Sequence, residues 1–232
     1  MNHLRTTNTS NETLRTMATT LASTDATVLA RLRQTKIVPV IVINDAEDAV
    51  PLAAALTEGG LACAEVTFRT KAAGEALRRI CAENPDMLAG AGTVLTPQQA
   101  ADAKAAGAHF IVAPGFSPAV VDYCLEHDIP VYPGVCTPTD VEAALAKGLK
   151  TLKFFPAEPA GGVNYLKAIS APYNMVEFMP TGGINASNIG AYLAMKNVVA
   201  CGGSWMAPND WIAAKAFDRI REATRQAVEV VR

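Results

Sequence analysis

The chain has 232 residues, half of them hydrophobic, and a net charge of −2. That supplies the core of one barrel-sized domain and lacks the basic excess of a nucleic-acid binder. The longest apolar run, residues 37–43, is far too short to cross a bilayer, so neither nucleic acid nor membrane is expected as a partner.

The cysteines, Cys63, Cys81, Cys124, Cys136 and Cys201, are odd in number, widely spaced and free of any CxxC pair. This points to a reducing cytoplasm rather than a disulfide framework. His3, His109 and His127 form no HxxxH or HExxH pair, so no metal site is expected.

Residues 1–24 are rich in Ser, Thr and Asn and lack the apolar stretch of a secretory signal. They are expected to be a flexible tail, although Arg5 and Arg15 among hydroxyl residues leave a transit peptide open. The folded domain should then be 25–232.

From residue 25 the pattern becomes regular. A short helix is expected near 25–34, then a strand at 37–43 and an Ala-rich helix at 46–58 that Gly59-Gly60 ends. A strand at 62–68, a helix at 71–84, a strand at 87–94 and a helix at 97–106 follow. Further strands are expected near 109–113, 129–133, 150–155, 175–180 and 198–202, with helical patterns between them and a long last helix over 211–229. Eight strands alternating with helices predict a closed parallel (β/α)8 TIM barrel, a single α/β domain. The rival, an open doubly wound sheet, would show GxGxxG after its first strand. Here that turn reads Asn44-Asp45-Ala46-Glu47.

Such folds carry their chemistry at the carboxyl ends of the strands. Side chains alternate along a strand, so Glu65, Thr67 and Arg69 share one face of the second strand, away from apolar Ala64, Val66 and Phe68. On the sixth strand Leu152 and Phe154 suit the helix layer, which turns Lys153 inward. A lysine among apolar residues is costly while charged, and the neutral amine is the form that attacks a ketone. The same residue could instead be half of a buried ion pair with Glu65.

Thr181-Gly182-Gly183-Ile184-Asn185 is expected after the seventh strand and Cys201-Gly202-Gly203-Ser204-Trp205 after the eighth. These are the two loops that often hold phosphate in this fold, where glycine lets backbone N–H groups approach the anion. Each Gly-Gly alone could be only a turn. Thr93, after Gly90-Ala91-Gly92, offers a hydroxyl at the third strand end or merely caps a helix. Pro114-Gly115 and Pro133-Gly134 read as turns that shape the mouth.

Together these motifs, Glu65-Val66-Thr67-Phe68-Arg69-Thr70, Gly90-Ala91-Gly92-Thr93-Val94-Leu95, Lys153-Phe154-Phe155-Pro156-Ala157-Glu158, Pro180-Thr181-Gly182-Gly183-Ile184 and Gly202-Gly203-Ser204-Trp205, resemble the 2-keto-3-deoxy-6-phosphogluconate (KDPG) and 4-hydroxy-2-oxoglutarate (KHG) aldolases. The resemblance runs in unbroken order over residues 35–230. It implies a class I aldolase that cleaves KDPG to pyruvate and glyceraldehyde 3-phosphate through an imine on Lys153, and a typical homotrimer needing no metal or other cofactor. It further implies that Glu65 moves protons and that Arg69 and Thr93 hold the pyruvate carboxylate. Phe155 would form an aromatic wall and Thr181 stand beside the sugar hydroxyls, where a threonine favours the gluconate over the galactonate epimer. Gly182, Gly183 and Ser204 would cradle the phosphate.

Two other readings compete. A sugar-phosphate isomerase or epimerase would share the phosphate loops but needs an acid–base pair, and apart from Glu65 no Asp or His sits suitably at a strand end. A non-catalytic binder of phosphate ligands would have no use for Lys153 and Glu65 facing one cavity.

Overall fold

The structure, a computed structural model, describes residues 23–232. The expected tail therefore lies outside the described residues up to residue 22. Residues 23–35 form a helix, α1, overlapping the one expected near 25–34.

The chain then alternates as its apolar pattern dictates. Strand β1 (Ile37–Ile41) leads through one 3-10 turn (Ala46–Asp48) into α2 (Ala49–Glu58), and β2 (Cys63–Thr67) into α3 (Ala73–Glu83). Next come β3 (Leu88–Gly92), α4 (Pro97–Ala105), β4 (Ile111–Val112) and α5 (Pro118–Glu126). Then follow β5 (Val131–Tyr132), β6 (Gly134–Val135), α6 (Pro138–Ala146), β7 (Thr151–Phe154) and α7 (Gly162–Ser170). The remainder is β8 (Glu177–Pro180), α8 (Ile189–Leu193), β9 (Cys201–Gly203), α9 (Asn209–Ala213) and α10 (Phe217–Val230). Helices α4, α5 and α6 begin with proline at the first positions, where its missing N–H costs nothing. Helix α6 also has a capping box between Thr137 and Asp140. The single helix expected over 211–229 is broken between α9 and α10, where Lys215 is left-handed (φ 54°) and the N–H of Ala216 closes onto the Trp211 carbonyl at 2.9 Å.

The expected closed eight-stranded TIM barrel is not what forms. The described residues build nine parallel strands in two sheets: a curled six-stranded one in the order β5-β4-β3-β2-β1-β9, and a three-stranded one, β6-β7-β8. The first break is at Pro133, the last residue of the strand expected over 129–133: that strand shortens to β5, and β6, which was not expected, begins just beyond the proline in the other sheet. Proline has no N–H for a ladder, and its carbonyl turns to the second sheet, accepting from Lys153 N at 2.9 Å. At the other margin no ladder joins β8 to β9: the bridges there are isolated ones, from Phe178 to Val198, ahead of β9, and from Thr181, just after β8, to Gly202.

Alternation divides the core into two layers. Ile37, Ile41, Val66, Leu152, Phe154 and Phe178 pack outward against the helices. Val38, Leu88, Phe110, Val112, Tyr132 and Met179 form an inner cluster, into which α1 lays Val28 and Leu32. Full burial of a side chain such as Leu32 is worth about 2 kcal/mol. Polar ties fix α1 there: Tyr132 Oη donates to Asp25 Oδ1 at 2.8 Å, and Arg33 makes two hydrogen bonds, 2.9 and 2.6 Å, to the Glu177 carboxylate.

Candidate active site

Glu65 and Lys153 stand in the two different sheets, and their side chains meet between them. Register puts Glu65 beside Val40 and Gly90, and Lys153 beside Gly134 and Met179. Lys153 Nζ lies 3.3 Å from Glu65 Oε1, and the residues are only 5% and 3% exposed. The two line a narrow cavity with Val38, Phe110, Val112, Met179, Thr181 and Gly202, with room for about one water molecule. Removing either charge from such apolar walls would strand the other.

Glycine shapes this space. A Cβ on Gly90 would fall 2.4 Å from the Phe110 ring, and one on Gly92 2.0 Å from Glu65 Oε1. The small residues of β3 thus make way for particular neighbours, one of them Glu65. Of the two expected Pro-Gly turns only Pro114-Gly115 forms a bend, whereas Gly134 belongs to β6; the two segments pack closely, since a Cβ on Gly134 would meet the Pro114 carbonyl oxygen at 2.1 Å.

The other expected site residues surround this pair with varying closeness. Lys153 Nζ is 5.4 Å from the centroid of the half-buried Phe155 ring. Arg69 is exposed just beyond β2, and its Nε donates to Thr93 Oγ1 at 3.3 Å. Thr93 adopts a left-handed conformation, φ 55°, and does not cap α4; that role falls to Thr96, whose hydroxyl accepts from Gln99 N at 3.2 Å. Arg69 and Thr93 therefore form one unit at the rim.

Thr181 is buried directly after β8, and a Cβ on Gly202 would lie 2.4 Å from its Oγ1. Gly182 and Gly183 follow with φ of 103° and 80°, a left-handed pair that side chains rarely adopt. The second glycine pair departs from expectation: Gly202 and Gly203 lie inside β9 rather than in the loop, Gly203 against the Trp205 ring, and only Ser204 is at the exposed rim. The sequence reading missed Glu158 and Tyr192, whose hydrogen bond flanks Gly183. Their 34-residue separation carries no local signal, although Glu158 lies in the lysine motif. Among the described residues no group of three or more His, Cys, Asp or Glu is placed to hold a metal ion, and no helix is long and apolar enough to cross a membrane.

A buried amine touching a carboxylate can form an imine with a carbonyl compound and move protons around it. These are the requirements of an amine-dependent carbon–carbon lyase. Comparison with known proteins agrees with that class. The family model for KDPG and KHG aldolase matches residues 28–223. A 2-dehydro-3-deoxy-phosphogluconate aldolase of Treponema pallidum is 48% identical over 205 residues, 88% of this chain and 98% of the relative. A KHG/KDPG aldolase of Escherichia coli is 47% identical, covering 83% of this chain and 91% of its own. The crystal structure of a KDPG aldolase from Legionella pneumophila, with pyruvate captured as a covalent carbinolamine, has a TM-score of 0.83 at 42% identity, covering 86% and 97% of the two chains. The chain belongs to the KDPG and KHG aldolase family.

Proposed function

We propose that the chain cleaves KDPG to pyruvate and glyceraldehyde 3-phosphate through an imine on Lys153, and that it also acts on KHG. The observation that carries this reading is the 3.3 Å contact between Lys153 Nζ and Glu65 Oε1 within a buried cavity. High identity to proteins of that name supports the choice of substrate.

In this mechanism Lys153 passes a proton to Glu65 and the freed amine adds to the C2 carbonyl; the carbinolamine hydroxyl then takes that proton from Glu65 and leaves as water, giving a protonated imine. Glu65, directly or through a water, takes the proton of the C4 hydroxyl. The C3–C4 bond breaks, its electron pair passes to the imine, and glyceraldehyde 3-phosphate leaves as an aldehyde. The enamine left on Lys153 is protonated at C3, and water releases pyruvate. Arg69 suits a bidentate grip on the substrate carboxylate, and its contact with Thr93 ties both to that task. Phe155 walls the amine, and Thr181 lies beside the sugar hydroxyls. Gly182 and Gly183 offer backbone donors, and Ser204 a hydroxyl, to the phosphate, whose remote binding fixes the scissile bond.

On the same reading the catalytic unit is residues 25–232, supported by the start of the family match at residue 28. The enzyme is a cytoplasmic homotrimer needing no metal; its cysteines are unpaired, which suits a reducing compartment. Light scattering of the purified protein tests the trimer. Pyruvate release from KDPG, followed with lactate dehydrogenase, tests the activity: it should fall to background in Lys153→Met, and turnover retained in that variant would refute the assignment.

A further inference from the structure

No step above uses Glu158, yet its side chain is tied on several sides. It follows β7 on an exposed connection, but Tyr192 Oη, from a fully buried residue of α8, donates to Glu158 Oε1. Burial first, and then the hydrogen bond and charge of Glu158, push the Tyr192 hydroxyl well above its ordinary value, so it remains a donor.

The backbone is joined to the next loop as well. Ala157 N donates to the Thr181 carbonyl at 2.8 Å, and Glu158 N to that of Gly182 at 3.0 Å. The Glu158 side chain rests on Gly183, where a Cβ would fall 2.6 Å from Glu158 Cβ and 2.8 Å from its Cγ. Gly162, at φ 63°, leaves the space in which the carboxylate meets Tyr192: a Cβ there would lie 3.2 Å from Glu158 Oε1 and 3.4 Å from Tyr192 Oη. Helix α8 follows the Gly182-Gly183 loop, so the Tyr192–Glu158 bond closes a ring through the loop after β7, the loop after β8 and α8. A carboxylate beside an anion is electrostatically adverse, so any contribution of Glu158 to anion binding is geometric.

We propose that Glu158, anchored by Tyr192, is a positioning residue that holds the Gly182-Gly183 loop in the shape that receives the substrate phosphate. This rests on the reading of that loop as the phosphate site. Phosphorylated substrate should therefore feel the loss of the anchor far more than unphosphorylated substrate.

Steady-state kinetics of Tyr192→Phe, Glu158→Ala and Glu158→Gln on KDPG and on KHG test this, with Gly183→Ala as a separate arm for the loop itself. Tyr192→Phe should raise KM for KDPG about 3–10-fold, the effect of one lost hydrogen bond, while kcat stays within about twofold and KHG parameters move much less. Glu158→Gln keeps an acceptor oxygen and should recover most of what Glu158→Ala loses. If Gly183→Ala discriminates between the substrates and Tyr192→Phe does not, the anchor is refuted and the phosphate reading stands. If neither variant discriminates, both fail together.

Discussion

The Glu65 carboxylate lies directly over Gly92, so closely that a Cβ at residue 92 would fall 2.0 Å from Oε1 and 2.5 Å from Cγ. The two residues belong to neighbouring strands, with Gly92 opposite Thr67 in the β2–β3 register. Only glycine at position 92 leaves the carboxylate where it meets Lys153. Gly92→Ala should therefore lower kcat by about 10²-fold, because a displacement near 1 Å costs that much in a proton-transfer site. Kinetics alongside a melting curve check this, since unchanged kcat in a folded variant would mean that Glu65 works from another position.

Glu65→Gln separates chemistry from shape. The amide fills the same space over Gly92 but cannot accept the C4 hydroxyl proton. Turnover should fall about 10²–10⁴-fold, while binding of a phosphate-bearing ligand is retained. Near-normal turnover would reduce Glu65 to a structural partner of Lys153.

The Lys153–Glu65 convergence was legible because strand side chains alternate with period two: once Leu152 and Phe154 are assigned to the helix layer, Lys153 must face the other way. Sheet closure was not legible. Spacing counts strand–helix units, but it does not reveal that Pro133 passes the chain from one sheet to another or that no ladder joins β8 to β9. The glycines were half legible. Gly90 and Gly92 fall within the strand expected over 87–94, but which side chains pass over them, Phe110 and Glu65, depends on cross-strand contacts. Gly202 closes the strand expected over 198–202 and also groups with Gly203 and Ser204 in the loop expected after it; the strand runs one residue further, through Gly203, and Gly202 lies beside Thr181.

Asp140 gives a pH prediction for stability. Burial alone would raise its carboxyl, but hydrogen bonds from the N–H groups of Cys136 and Thr137 and from the Thr137 hydroxyl outweigh burial and hold it below the ordinary value of 3.8. A lowered folded-state pKa adds stability above the unfolded value, and this is lost as pH falls through the folded one. Asp140→Ala should cost about 1–2 kcal/mol at pH 7, the range for a lost helix cap, and the gap should narrow below pH ~4. Urea unfolding of both proteins at the two pH values reads the difference directly; a gap independent of pH would mean that the charged form is not what matters.

Cleavage of KDPG should survive exhaustive treatment with a chelator, since the proposed route stabilises the carbanion through the imine nitrogen. Activity lost to the chelator and restored by zinc or manganese would assign the electron sink to a metal instead.

Reduction with borohydride in the presence of pyruvate, followed by mass spectrometry of the digested protein, tests the central claim most directly. The imine is then fixed as a stable secondary amine on the lysine that formed it. The label should appear on the peptide carrying Lys153 and be absent from protein reduced without pyruvate. A label on Lys150 alone, or none at all under conditions where the enzyme turns over, would contradict the account.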